Sequence, residues 1–231
     1  MHSTKDNLQV LFEDNHLIII NKRVGDIVQG DKTMDKPLSE VVKEYIAEKH
    51  HKPGNVFLGV VHRLDRPTSG IVIFARTSKA LERLNKMLRE KSIQKTYWAI
   101  IKTGSLKNSD TLVNFLKKNP KNNKSTAFSK ESKDTKKAIL HYQIIQKLDN
   151  YQLLEIDLET GRHHQIRCQL SKIGYPIKGD LKYGFNRSNK NGGIHLHARK
   201  IEFIHPVKKE IISFTAECPD DVIWNLLSKT T

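Results

Sequence analysis

The chain has 231 residues, enough for one large domain or two small ones and enough to bury a core without disulfide or metal staples. Lys and Arg number 40 against 25 Asp and Glu, a formal charge of +15, so the surface attracts polyanions, nucleic acid before anionic membrane. The two cysteines, Cys168 and Cys218, form no C-x-x-C pair, and the apolar run Leu17–Ile20 is far too short to span a bilayer. Together they predict a reduced, cytoplasmic protein that does not enter membranes.

Val10-Leu11-Phe12 and Leu17–Ile20, with Glu13-Asp14-Asn15 between them, predict a hairpin. Pro37 opens a helix in which Leu38, Val41, Val42, Tyr45 and Ile46 recur at helical spacing. Ile71–Phe74 reads as a buried strand. A helix follows from about Ser78, with Leu81, Leu84 and Leu88 on one face, and Lys95–Ile101 reads as another strand. Residues 117–137 hold eight lysines and no apolar periodicity, which predicts a mobile, basic loop or hairpin extension.

Ala138–Gln146 and Tyr151–Leu158 form a second predicted hairpin about Asp149-Asn150, wetted on one face by Glu155, Asp157 and Glu159. Ile166, Leu170 and Ile173 suit a short helix stopped by Gly174. His195–Phe203 and Ile211–Ala216 read as strands. A terminal helix is expected near Pro219, with Asp220 and Asp221 in its first turn. Strands mixed with a few helices, without regular alternation, indicate an α+β chain with a largely antiparallel sheet. No repeat or linker divides it, so residues 1–231 read as a single domain carrying the basic extension near 117–137.

Three segments could carry chemistry. In His62-Arg63-Leu64-Asp65-Arg66-Pro67-Thr68-Ser69-Gly70, Pro67 and Gly70 mark a turn. Arg63 and Arg66 flank Asp65, and positive neighbours keep a carboxylate ionised, as a nucleophile requires. Taken alone, this segment reads better as a surface aspartate paired with arginines or capping a turn. In Glu159–Arg167, Gly161 leads into a helix start whose backbone N–H groups can receive a phosphate, and Arg162 and Arg167 add charge. A capped helix with exposed basic residues explains it equally. Lys95 and Tyr97 share one face of a strand, where a lysine can hold a phosphate and a tyrosine can stack on a base. The plainer reading is a half-buried strand.

The order and wording of these segments together are specific. His62–Gly70 resembles the HRLD-x-x-TSG motif of the RluA-type pseudouridine synthases, Lys95 and Tyr97 their K-x-Y strand, and Glu159–Arg167 their TGR-x-HQIR motif. Gly174–Asp180 with Tyr183-Gly184, Leu196-His197-Ala198, and Phe203 with His205-Pro206 are similar to later family elements, and Phe12–Asp14 to Asn21-Lys22 to its opening strands. The likeness spans roughly residues 8 to 216. Arg23 departs from the pattern where many members have Pro, and His163 where many have Thr.

The resemblance implies the pseudouridine synthase fold: a mixed, mainly antiparallel central sheet with flanking helices and a central RNA-binding cleft. It implies Asp65 as nucleophile, Tyr97 stacked on the uracil and assisting proton removal from C5, and Arg167 paired with Asp65. It implies also that Arg63 helps hold the flipped state of a uridine extruded from folded RNA. Lys95 and Arg162, with Lys117, Lys118, Lys121 and Lys124 of the basic segment, are expected to bind RNA. The implied reaction would break N1–C1′, rotate the uracil and join C5 to C1′, a net isomerisation that one carboxylate can serve, whether by attack at C1′ or by a glycal-type elimination. Glycoside hydrolysis usually needs a pair.

The family motifs begin near residue 8, so the small N-terminal RNA-binding domain of many relatives is expected to be absent, pointing to the shorter members that act on tRNA or rRNA. The expected partner is a structured RNA, a tRNA or rRNA stem-loop, with a monomeric protein. No cofactor or metal is expected: the 11 histidines include no HExxH and no Cys-rich cluster. Ser69, His62 and Asp65 crowd within eight residues of a turn and lack the geometry of a triad. Two other classes remain. A noncatalytic RNA-binding module is disfavoured by the intact Asp65, Tyr97 and Arg167, and a glycosidase by the basic charge and the missing second carboxylate.

Overall fold

The computed structural model describes residues 2–31 and 33–228. In chain order the strands are β1 (Val10–Glu13), β2 (Leu17–Lys22), β3 (Gly59–Val60), β4 (Ser69–Ala75), β5 (Gln94–Lys102), β6 (Ser109–Asn119), β7 (Lys124–Phe128), β8 (Lys136–Lys147), β9 (Tyr151–Leu158), β10 (Leu196–Ile204) and β11 (Ile211–Thr215). The helices are α1 (Leu38–Lys49), α2 (Ser78–Arg89), α3 (Gln165–Lys172) and α4 (Val222–Ser228), with a 3-10 turn at Leu181–Tyr183. The chain is mixed α+β, and the strand pairs whose registers follow are all antiparallel. It packs as two compact units, Met1–Gln94 with Ala198–Pro219, and Lys95–His197 with Asp220–Thr231. No helix among the described residues is long and apolar enough to cross a membrane.

In the first unit the predicted hairpin pairs Glu13 with Ile18, and β2 pairs with β4 from Leu17↔Ala75 to Lys22↔Gly70. Both β2 and β4 are buried along their whole length. Their runs of Ile, Val and Leu lack polar alternation because neither face meets water. Leu17, Ile19, Ile71 and Ile73 form a core with Ala80 and Leu84 of α2 and with Ile201 and Phe203 of β10. The Thr77 hydroxyl caps α2 by accepting the Ala80 N–H at 3.2 Å. At the head of β4, Gly70 has φ +111°, and a Cβ there would lie 2.4 Å from the backbone N and O of Ala198. Only glycine lets β4 approach β10 this closely.

In the second unit the strand order is β5-β9-β8-β6-β7, each neighbour antiparallel. Helix α3 is buried from Gln165 to Leu170, and Cys168 joins a cluster with Leu116, Ala127, Ala138 and Tyr183. The basic segment is the β6–β7 hairpin followed by the start of β8. Ser125 and Ala127 are buried while Thr126 and Phe128 face out, so a period of two is present but masked by lysines at the turn. Residues 109–116, which lead into this segment, form the start of β6, a strand that the sequence pattern does not announce. The terminal helix begins at Val222, and Asp221 precedes its first turn: its Oδ1 accepts the N–H groups of Ile223 (2.9 Å) and Trp224 (3.2 Å).

Candidate active site

Asp65 lies half-buried in the loop between β3 and β4. The Thr68 N–H donates to the Asp65 carbonyl at 3.0 Å, closing a turn about Arg66-Pro67. Lys22, at the end of β2, is 1 % exposed and fixes this turn from below. Its ammonium donates to the carbonyls of Thr68 (2.7 Å), Arg23 (2.8 Å) and Arg66 (3.3 Å), and the Gly25 N–H adds a bond of 2.9 Å to the Arg66 carbonyl. Three acceptors use all three donors of the ammonium. Burial pulls the Lys22 pKa down to about 7, while the charges of Asp26 and then Asp65 pull it back up.

The arginines that flank Asp65 have separate surroundings. Arg66 turns to Asp35, at 2.6 Å, and to the Thr33 hydroxyl, at 2.8 Å. Arg63 is exposed. The positive charge that sequence reasoning assigned to Arg66 is therefore shared with Asp35, and Lys22 supplies a buried cation that the sequence showed only as part of an opening strand. His62 Nε2 accepts the Ile73 N–H at 3.2 Å, so this ring braces β4.

The second unit holds the remaining candidates. Tyr97 is 8 % exposed on β5, opposite Ile156. Lys95, two residues earlier on the same face, is pulled below the ordinary lysine pKa by burial alone. Its Nζ lies 3.8 Å from the point a Cβ on Gly161 would occupy, so the K-x-Y strand and the TGR loop meet there. Arg167 is 5 % exposed and grips Asp180 with two bonds, Nε to Oδ2 at 2.6 Å and Nη2 to Oδ1 at 2.8 Å. The guanidinium also lies 5.1 Å from the Tyr183 ring centre. Asp180 orients Arg167, as the fork geometry of the pair requires.

The loop before α3 differs from its expected form. The side chain of Gln165 folds back, its Oε1 accepting the Arg162 N–H (2.9 Å) and the Thr160 hydroxyl (2.8 Å), and its Nε2 donating to the Ile139 carbonyl (3.0 Å). The Arg162 N–H is thus satisfied inside the loop, ahead of the helix start. Its guanidinium Nε donates to the Lys137 carbonyl at 3.0 Å. Of the hairpin lysines, Lys117 pairs with Asp134 at 3.2 Å, Lys118 and Lys121 are exposed, and Lys124 Nζ stands 5.1 Å over the Tyr183 ring. Among the described residues no group of three or more His, Cys, Asp or Glu is placed to hold a metal ion.

The model of the RNA pseudouridylate synthase family matches residues 16–172, a stretch that contains Asp65, Tyr97 and Arg167. The chain belongs to this family. Uridine isomerisation in RNA is the activity that membership carries. An RNA pseudouridine synthase of Synechocystis is 35% identical over 216 residues, which cover 92% of this chain and 66% of that one. Ribosomal large subunit pseudouridine synthase D of Zymomonas mobilis is 32% identical over 225 residues, covering 93% of this chain and 70% of its own. The chain therefore spans about two thirds of the length of these RluA-type relatives. The fold agrees with that of human RNA pseudouridylate synthase domain containing 4, at TM-score 0.78 and 23% identity over 94% of this chain and 91% of that one.

Proposed function

We propose that this pseudouridine synthase acts on uridine in a tRNA or rRNA stem-loop, with Asp65 as the nucleophile. The observation that carries the assignment is the turn around Asp65, whose neighbouring carbonyls are fixed by Lys22 and Gly25, so that the carboxylate is presented from a rigid backbone beside a buried cation. A nucleophile needs that placement, because small displacements of a reacting group cost large factors in rate.

The uridine is flipped out of the RNA, with Arg63 holding the flipped state. Tyr97 stacks on the uracil and assists the loss of the C5 proton, and Arg167, aimed by Asp180, serves the same reaction as a fixed cation. The N1–C1′ bond breaks, the uracil turns, C5 joins C1′, and N1 gains a proton. Lys95 has no ion-pair partner among the described residues, and an unpaired, desolvated ammonium favours an incoming phosphate. Arg162 and Lys117, Lys118, Lys121 and Lys124 extend the phosphate contacts. A ribosomal target accords with the name of the Zymomonas relative.

The test is one sample of Asp65→Asn, followed for melting temperature, RNA affinity and single-turnover rate. The fold and the RNA binding are expected to survive while pseudouridine formation is lost. A folded, RNA-binding variant that isomerises uridine near the wild-type rate ends the nucleophile assignment. A wild-type protein that binds RNA but modifies none would instead be the noncatalytic module.

A further inference from the structure

His163, which departs from the family pattern, has an unusual setting. Its ring stacks on that of His164, with centres 3.8 Å apart and planes at 22°. His164 itself has φ +53°, a left-handed backbone that bulky residues seldom adopt. Both imidazoles reach partners on other elements. His163 Nδ1 lies 2.9 Å from the Ser125 hydroxyl, and that hydroxyl donates to the His163 carbonyl at 2.8 Å. With its single proton committed to the carbonyl, the hydroxyl accepts from the ring, so Nδ1 carries the imidazole proton. His164 Nδ1 lies 3.0 Å from the Tyr183 hydroxyl.

Ser125 sits on β7, one residue after Lys124, and each of its polar atoms is bonded. Its N–H donates to the Tyr183 hydroxyl at 2.8 Å, its carbonyl accepts the Cys168 thiol at 3.2 Å, and its own hydroxyl serves His163. A single residue therefore docks the hairpin onto α3, onto the loop before α3 and onto the 3-10 turn. The Tyr183 ring lies 5.1 Å from both Lys124 of the hairpin and Arg167 of α3. Lys182 adds bonds of 3.4 and 3.3 Å to the carbonyls of Asn122 and Asn123 at the hairpin turn. The lysine-rich β6–β7 pair is thus fixed to the helix that bears Arg167.

We propose that Ser125, held by His163, is a positioning residue that sets the register between the basic β6–β7 hairpin and helix α3, so that an RNA backbone captured by the hairpin lysines arrives in register with Arg162 and Arg167. It rests on the reading that those lysines bind RNA. Loss of the joint leaves Lys117, Lys118, Lys121 and Lys124 in place but lets them move relative to α3, which weakens capture of a long RNA. The chemistry on a short RNA that does not reach the hairpin is untouched.

The experiment compares two RNAs carrying the same target uridine, one a minimal stem-loop and the other the full-length molecule. Ser125→Ala is expected to raise KM for the full-length RNA about tenfold, the usual scale for a lost buried hydrogen bond, with kcat within about twofold and no change on the minimal stem-loop. His163→Ala should do the same. His163→Asn, whose amide N–H can stand in for the Nδ1 proton, should restore the wild-type KM. Equal losses on both RNAs, or an unchanged KM in folded Ser125→Ala and His163→Ala alike, would overturn the proposal. If Ser125→Ala does not fold, the contrast between His163→Ala and His163→Asn decides. A wild-type protein inactive on every RNA refutes the proposed function, whereas an active one with unaffected variants refutes only this joint.

Discussion

The loop that carries Asp65 and the helix that carries Arg167 are made rigid in different ways. Around Asp65 the task falls on one buried cation: Lys22 binds main-chain carbonyls, and among the described residues no side-chain carboxylate bonds its ammonium directly. Around Arg167 it falls on side chains, with Asp180 gripping the guanidinium and the Tyr183 ring, bonded to His164, lying against it. A carbonyl clamp holds the path of the chain whatever side chains lie along it. A side-chain network instead holds one guanidinium in one orientation. The first arrangement depends on the charge of a lysine, and the second on the shape of a carboxylate, so the two should fail differently.

The largest expected effect tests placement in the first region. Asp65→Glu keeps the charge but advances the carboxylate by about 1 Å or more, and the single-turnover rate should fall by at least roughly 100-fold with RNA affinity retained. A rate near wild type would mean that the turn held by Lys22 is not rigid. In the second region Asp180→Ala leaves Arg167 buried without its grip and should cost about 3–5 kcal/mol of stability, read as a fall in denaturant midpoint. A loss below about 1 kcal/mol would show that Asp180 merely accompanies the arginine.

Lys22→Met removes the clamp. It strands the Arg23 and Thr68 carbonyls, with an expected cost of about 1–3 kcal/mol and a drop in kcat larger than any rise in KM. The pH response sharpens the contrast. Lys22 has its pKa lowered on folding, from the ordinary 10.5 to about 7, so the unfolded chain holds this proton more tightly. Its contribution to stability therefore rises with pH across that window. The clamp needs the ammonium, so the rate should fall as pH rises through about 7. Melting temperature and single-turnover rate of wild type and Lys22→Met, measured from about pH 6 to 11 to bracket that window, should show these opposite trends in wild type alone. The smallest effect concerns the hairpin: replacing Lys117, Lys118, Lys121 and Lys124 by Ala should weaken RNA binding and flatten its salt dependence, by up to about 0.7–0.9 in log–log slope for each phosphate no longer neutralised. An unchanged slope would leave the hairpin without a role in binding.

The hairpins β1–β2 and β8–β9 and the helices α1, α2 and α3 were legible because their apolar periods and their turn or capping residues are local signals. Strand β6 was hidden because its inward face carries Asp110 and Asn114 beside Leu112, with Leu116 its one buried residue, and only pairing with β8 and β7 gives it a partner on each side. Asp65, Tyr97, Lys95, Arg162 and Arg167 were named from ordered family motifs. The partners that hold them were not: Lys22 is 44 residues from Arg66 and 46 from Thr68, and the two atoms it grips there are carbonyls, which carry no sequence signal. Asp180 stood inside a motif that was recognised, yet nothing in its spacing told that it faces Arg167. His163 was visible only as a departure, and its partner Ser125 lies 38 residues away among lysines.

Sequence by itself determined the α+β class, the family and the side chains available for the chemistry, since each is written in local pattern or in the order of motifs. Tertiary structure decided which of those side chains are fixed and by what. A buried ammonium, a bidentate carboxylate and a docked serine gain their meaning only when distant segments are brought within about 3 Å, the distance at which a hydrogen bond forms.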